Sequence, residues 1–223
     1  MSIKQNLKEF INTIPENVVL VAVSKTKPIQ DILEAYHAGQ RIFGENKASE
    51  LAEKHQLLPK DIYWHFIGHL QTNKVKFIAP FIHLIHSVDS AKLLAVINKE
   101  AQKNNRIIDC LLQFYIATEE SKFGFDLNES LDFLNSKEFA EMQNVRILGV
   151  MGMATYTSNN LLIHQEFAQL FSYFQKLKNN CFYDKDYFKE ISMGMSGDYQ
   201  IAIESGSTMI RIGSSIFGER NYK

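Results

Sequence analysis

Short apolar runs alternate with amphipathic segments along the whole chain, and this alternation leaves few folds open. The apolar runs, which we predict to be strands, are residues 18–24, 41–43, 63–67, 82–88, 107–115, 145–151, 188–193 and 208–212. Helical patterns lie between them, at residues 29–38, 47–57, 72–79, 91–103, 127–134, 163–178 and 198–205. Eight such strands in a chain of 223 residues predict a single (β/α)8 barrel over residues 1–223. An open doubly wound sheet is the alternative.

The first apolar run ends next to a lysine. Residues 18–23 are all apolar and mostly valine, which is typical of a parallel strand covered on both faces. Strand side chains alternate, so Val21, Val23 and Lys25 share one face. If that face is the barrel interior, desolvation lowers the pKa of Lys25 and favours a neutral, nucleophilic amine. Lys25 is therefore a candidate for a Schiff base with an aldehyde or ketone; a solvated loop lysine is the other interpretation.

Two loops rich in glycine and serine follow the last two predicted strands, at residues 194–198 and 213–215. Glycine lets backbone amides approach a ligand closely, and a following helix adds positive potential at its amino end. In a parallel barrel, phosphate sites often lie after the seventh and eighth strands. Taken alone, residues 194–197 are better explained as an ordinary tight turn, but the pair of loops favours a phosphate site.

Arg211 lies within the eighth predicted strand, on the same face as Met209 and Gly213. An arginine on the inner face of a barrel must find a partner, because burying an unpaired charge is costly. The partner is either a carboxylate in a structural salt bridge or a ligand, and the sequence leaves both open.

Charge and composition exclude several classes of function. A formal net charge of −1 gives no electrostatic case for binding nucleic acid or an anionic membrane. No apolar run approaches the ~20 residues that span a bilayer. Two cysteines without CxxC spacing indicate a reducing cytoplasm. His83 and His86, three residues apart in a predicted strand, should face opposite sides, so no metal site is expected.

Five separated segments resemble the pyridoxal phosphate homeostasis proteins, which are relatives of the alanine racemase barrel. These segments are AVSKTKP at 22–28, FGEN at 43–46, WHFIGHLQTNK at 64–74, SMGMS at 192–196 and GSTMIRIG at 206–213. They occur in the same order and span nearly the whole chain, which makes the resemblance specific.

The resemblance implies that the barrel carries pyridoxal 5'-phosphate (PLP) as an aldimine on Lys25. The residues implied to contact the cofactor are Lys25, Asn46, Met195, Ser196, Arg211, Gly213 and Ser214. Ser196, Gly213 and Ser214 would hold the phosphate, and Asn46 would lie beside the ring. Arg211 would meet the pyridine nitrogen. The loop at residues 152–157 is individual, and its role stays open.

The family resemblance implies a non-catalytic carrier that holds PLP for intracellular vitamin B6 homeostasis and delivers it to apo-enzymes. A guanidinium can only donate to an unprotonated pyridine nitrogen, which disfavours carbanion chemistry. Alanine racemases add a β-domain that supplies a catalytic tyrosine, for which we expect no room here. A PLP-dependent racemase and a Schiff-base aldolase acting on a sugar phosphate remain alternatives. We expect a cytoplasmic monomer without catalytic residues.

Overall fold

The computed structural model describes residues 2–118 and 123–218, and within them eight parallel strands form a closed barrel in chain order. The strands are β1 (Val19–Val23), β2 (Ile42–Glu45), β3 (Tyr63–Phe66), β4 (Leu84–Val88), β5 (Ile108–Gln113), β6 (Val145–Met151), β7 (Glu190–Met195) and β8 (Met209–Ile212). The barrel closes where β1 pairs with β8, with Val21 opposite Arg211. The predicted (β/α)8 barrel is confirmed, and the open sheet is wrong.

Helices connect the strands and cover the outside of the barrel. They are α1 (Ile3–Ile11), α2 (Ile29–His37), α3 (Ala48–Leu57), α4 (Val75–Ile78), α5 (Ala91–Lys103), α6 (Leu127–Leu134), α7 (Lys137–Ala140), α8 (Asn160–Cys181), α9 (Tyr199–Glu204) and α10 (Ser214–Phe217). The helix predicted at 72–79 is a 3-10 turn, Thr72–Lys74, followed by α4. Helix α8 begins earlier than predicted because the Asn159 side chain accepts a hydrogen bond from Leu162 N at 3.2 Å.

The strands are buried on both faces. Inside the barrel, Val21, Leu84, Leu111, Met151 and Met209 form one buried apolar cluster. A larger cluster joins outward-facing strand residues to the covering helices. Burying both faces explains why the strands are almost continuously apolar instead of alternating with polar residues.

Strand β6 has a register shift beside a glycine whose backbone, with a φ angle of +158°, leaves no room for a side chain. The pairing of β5 with β6 shifts between Cys110 and Leu111, and Leu111 is paired with Gly149. A Cβ atom added to Gly149 would lie 1.8 Å from the Glu190 carbonyl oxygen of β7. Glycine is therefore required at this position for β6 and β7 to pair.

Candidate functional site

A pocket of about 540 Å³ opens at the carboxyl ends of the strands. Its wall is built from Val23 and Lys25 after β1, Ile67 after β3, residues 154–157 after β6, residues 195–198 at the end of β7, and residues 211–215 of β8 and α10. A pocket of this size is typical of small-molecule and cofactor sites.

Six of the seven predicted cofactor residues line this one pocket. They are Lys25, Met195, Ser196, Arg211, Gly213 and Ser214. The seventh, Asn46, instead lines a second pocket of about 230 Å³ together with His69 and Lys74. Its Oδ1 atom is buried and has no hydrogen-bond partner among the described residues. The wall also contains residues that the sequence did not point to, among them Ile67, Thr155 and Tyr156.

Lys25 and Lys27 both line the pocket, but their surroundings differ. Lys25 is half-buried in the pocket wall, just beyond the end of β1. The Lys27 Nζ atom donates hydrogen bonds to the carbonyl oxygens of Phe217, at 2.8 Å, and Gly218, at 3.2 Å. Lys27 therefore ties the segment after β1 to the end of α10.

The two loops rich in glycine and serine meet across the pocket. The Gly213 amide donates a hydrogen bond to Ser196 Oγ at 3.4 Å. Ser214 and Ser215 open α10, where the first backbone N–H groups of a helix have no partner within it. Helix α10 has four residues, so its dipole adds little, and the donors available to an anion are hydroxyl and amide groups.

Asp198 adds a carboxyl group to the wall beside these donors. Its Oδ1 atom accepts a hydrogen bond from Met195 N at 2.5 Å, which fixes the turn after β7. Burial raises the pKa of the Asp198 carboxyl group, while the Met195 amide and the Arg211 charge lower it.

Arg211 extends its guanidinium group beneath the pocket and is 4% exposed. The Nη1 atom donates to Ser192 O at 2.8 Å and to Ser192 Oγ at 2.6 Å, and Nη2 donates to Gly152 O at 3.1 Å. Among the described residues, its hydrogen-bond partners are thus neutral oxygens and not a carboxylate. Burial lowers the pKa of Arg211 to about 10, so the group remains charged at neutral pH.

The donors of Arg211 that these contacts leave unused are Nε–H and one N–H of Nη2, within the part of the chain that the structure describes. A buried charged donor at the base of a pocket suits a ligand with a hydrogen-bond acceptor, such as an aromatic ring nitrogen. Together with an amine and a set of anion donors, this arrangement fits PLP.

A chain of hydrogen bonds crosses the barrel interior from Arg211. Ser192 Oγ lies 2.9 Å from His86 Nδ1, and His86 Nε2 lies 2.9 Å from His65 Nδ1. Burial lowers the pKa of His65 to about 3 and that of His86 well below its usual value, so both rings are neutral at pH 7. Ser192 Oγ accepts a hydrogen bond from Arg211, so we assign the Ser192 hydroxyl as the donor to His86 Nδ1. The His86 Nε2–H group then donates to His65 Nδ1.

The predicted opposition of His83 and His86 is wrong. Strand β4 begins at Leu84, so strand alternation does not set the direction of the His83 side chain. The rings of His83 and His86 both lie next to His65, with centroid separations of 5.6 and 5.0 Å. Even so, the described residues contain no group of three or more His, Cys, Asp or Glu side chains placed to hold a metal ion.

Comparison with known proteins decides the family. The family model described as "Alanine racemase, N-terminal domain" matches residues 1–221. A protein of Pasteurella multocida named "Pyridoxal phosphate homeostasis protein" is 37% identical to this chain over 235 residues, covering 100% of this chain and 99% of the relative. This chain belongs to the pyridoxal phosphate homeostasis protein family. A relative of that name from Aquifex aeolicus is 38% identical, covering 91% of this chain and 87% of its own.

Solved structures of this family have the same fold. The structure of PipY from Synechococcus elongatus with PLP bound is 33% identical, with a TM-score of 0.87, and covers 97% of this chain and 100% of its own. Alanine racemase from E. faecalis is 14% identical, with a TM-score of 0.74 over 98% of this chain and 58% of that one, which shows a shared barrel alone. In the described part of this family member, no helix is both long and apolar enough to cross a bilayer.

The loop that the sequence left open, after β6, forms one wall of this family member's pocket. Thr155 anchors it: the amide donates to Glu166 Oε2 at 2.7 Å, and the hydroxyl donates to Glu166 Oε1 at 2.6 Å. Glu166 lies on α8 and is 4% exposed. Its carboxylate faces the loop and not solvent, a contact that helical periodicity alone does not predict.

Proposed function

We propose that this protein binds PLP in the barrel pocket as an aldimine with Lys25. In this proposal it holds and delivers the cofactor for intracellular vitamin B6 homeostasis and is not a strong catalyst. The observation that carries it is that Lys25, the buried Arg211 guanidinium and the two loops rich in glycine and serine line one pocket. Membership of a family whose PipY structure contains PLP supports the proposal.

Each group in the pocket has a proposed role. The Nζ atom of Lys25 would supply the amine that condenses with the PLP aldehyde, with release of water, and Ser196, Gly213 and Ser214 would donate hydrogen bonds to the phosphate. Arg211 donates to the pyridine nitrogen, and Met195 packs beside the cofactor. PLP supplies a reactive aldehyde and an electron-accepting ring. Asn46, which lines a second pocket, would lie beside the ring.

The pocket also supports one alternative, a PLP-dependent racemase. A racemase needs an acid in addition to the lysine. The Thr155 hydroxyl is bonded to Glu166, so the candidate is Tyr156, which lines the pocket and is 98% exposed. Incubating the PLP-loaded protein with L-alanine and following the optical activity separates the two functions. We expect no loss of optical activity; clear turnover, abolished by Tyr156→Phe, would establish the racemase instead.

Delivery is tested with an acceptor. The PLP-loaded protein is mixed with an apo-enzyme that requires PLP, in the presence of a scavenger that destroys free PLP. A carrier restores the activity of the acceptor under these conditions, whereas the same amount of free PLP does not. If the acceptor remains equally inactive with the PLP-loaded protein and with free PLP, because the scavenger destroys the PLP in both samples, delivery is contradicted. We expect a monomer in the cytoplasm, where Cys110 and Cys181, both free thiols here, stay reduced.

A further inference from the structure

The backbone that carries Lys25 is held by a cluster of charged residues from β2 and α3, of which Glu45 and Lys54 are buried and Glu50 is partly buried. We define this cluster, Glu45, Glu50 and Lys54, as the backbone clamp. The Lys54 Nζ atom lies at its centre and donates to Glu45 Oε1 at 2.7 Å, to Glu50 Oε1 at 2.7 Å and to the Ser24 carbonyl oxygen at 2.8 Å. None of the three residues lies in the described lining of the PLP pocket.

The clamp holds the residue on each side of Lys25. On one side, the Ser24 hydroxyl donates to Glu45 Oε1 at 2.6 Å. On the other side, the Thr26 amide donates to Glu50 Oε1 at 2.6 Å. Charge-assisted hydrogen bonds of this kind are stronger than neutral ones. The peptide units that flank Lys25 are therefore fixed from β2 and α3, independently of any contact made by the lysine side chain.

Thr26 needs such support. Its φ angle is +64°, in the left-handed region that β-branched residues rarely adopt. A residue keeps this unfavourable backbone conformation only where the surrounding contacts hold it there. Lys25 and Lys27 lie on either side of the bend at Thr26; both line the pocket, and the Lys27 ammonium group is also bonded to the end of α10.

Stability alone is a poor explanation of the clamp. The side chains of Glu45 and Lys54 are 0% and 6% exposed, and taking two charges out of water costs about as much as their attraction returns. Burial raises the pKa of Glu45, against the lowering effect of Lys54, which shows that desolvation is the larger influence on this carboxylate. What the arrangement achieves is a fixed backbone position.

We propose that Glu45, Glu50 and Lys54 are positioning residues, which hold the backbone of residues 24–26 so that the Lys25 amine enters the pocket in the geometry needed to bond to PLP. This inference rests on the proposed function. A displacement of about 1 Å at a reacting group can cost on the order of a hundredfold in rate, so a clamp remote from the ligand can control the covalent bond.

The test compares two ligands in Glu50→Ala. PLP can bond to Lys25, whereas 4'-deoxypyridoxine 5'-phosphate has the same ring and phosphate but no aldehyde. We expect Glu50→Ala to weaken PLP binding and to slow the appearance of the visible imine band, each about tenfold, since a charge-assisted hydrogen bond is lost. Binding of the analogue should remain unchanged. The matched control is Glu53→Ala, which removes an exposed carboxylate from the same helix and should behave as the wild type.

Two further variants test the positioning role without relying on Glu50→Ala alone. In a Lys25→Ala background, Glu50→Ala should have no further effect on PLP binding, because there is no amine to position. Lys54→Met should reproduce the effect of Glu50→Ala if it folds, and Glu50→Ala carries the test if it does not.

The outcomes distinguish the clamp from the proposed function. Equal weakening of both ligands would mean that the cluster merely supports the fold, and unchanged PLP binding in Glu50→Ala would also overturn the positioning role. If the wild type itself forms no imine at Lys25, the proposed function fails first.

Discussion

His65 and His86 are neutral imidazoles in an interior that also holds the Arg211 cation. Burial is the largest cause of their lowered pKa values, and neighbouring positive charge lowers them further. The unfolded chain binds protons at these residues from about pH 6.5 downwards, whereas folded His65 does so only near pH 3. Between these values the unfolded state binds more protons, so the stability of the folded state falls as the pH is lowered.

We predict that His65 alone makes the protein about 2 kcal/mol less stable at pH 5 than at pH 7. Replacement by His65→Gln should reduce the pH dependence of the unfolding free energy by that amount, measured by urea denaturation at the two pH values. His37→Gln, which removes an exposed histidine, is the control. The same pH dependence in His65→Gln and wild type would show that His65 is not the group responsible.

The phosphate donors are tested by a second single-residue change. Ser214→Ala should weaken PLP binding about tenfold, since a hydrogen bond to a charged phosphate is lost. Binding of pyridoxal, which has no phosphate, should be unaffected. Ser158→Ala, at an exposed serine, is the matched control. A parallel loss for pyridoxal would place Ser214 away from the phosphate.

Strand alternation is what made several of these residues predictable. It placed Lys25 and Arg211 on the inner face of the barrel, and the order of the strands brought the loops after β7 and β8 together. It could not predict the link from Ser192 through His86 to His65, because this depends on the relative register of β3, β4 and β7. The clamp was missed for a similar reason: Glu45 and Lys54 meet only when α3 packs beside β2.

At the scale of elements, the contact between β6 and β7 depends on Gly149. A methyl group there would collide with the Glu190 carbonyl oxygen at 1.8 Å, and backbone cannot yield as a flexible side chain can. We predict that Gly149→Ala lowers the unfolding free energy by about 3 kcal/mol. Gly197→Ala, where a Cβ atom meets nothing within 4 Å, should change it by less than about 0.5 kcal/mol. Equal stability of the two variants, measured by urea denaturation, would contradict this account of the bulge.

Element boundaries followed local chemistry that apolar patterns do not contain. Strand β2 extends beyond the predicted 41–43 because Gly44 and Glu45 continue the pairing with β3, opposite His65 and Phe66. Helix α7 was not predicted, since it is a single turn that the Ser136 side chain caps by accepting from Phe139 N. Capping and strand pairing, more than hydrophobicity, set where these elements begin and end.

At the scale of the whole molecule, the order of strands and helices was predictable because one pattern repeats eight times in the sequence. The repeated pattern does not predict which residues face each other across the closed barrel. Asn46 illustrates the difference: its motif predicts a place beside the cofactor, and the sequence did not predict that Asn46 lines a second pocket with His69 and Lys74. A Cβ atom on Gly68 would lie 2.6 Å from the Asn46 Cβ atom, so the two backbones approach closely there.

Lys25, and not Lys27, is the amine that we propose to bond to the cofactor. The most direct measurement is to load the purified protein with PLP, reduce it with borohydride and locate the label by peptide mapping. The label should be found on Lys25, Lys25→Ala should lose the visible band, and Lys27→Ala should keep it. A label on Lys27, or a visible band that survives Lys25→Ala, would contradict the account.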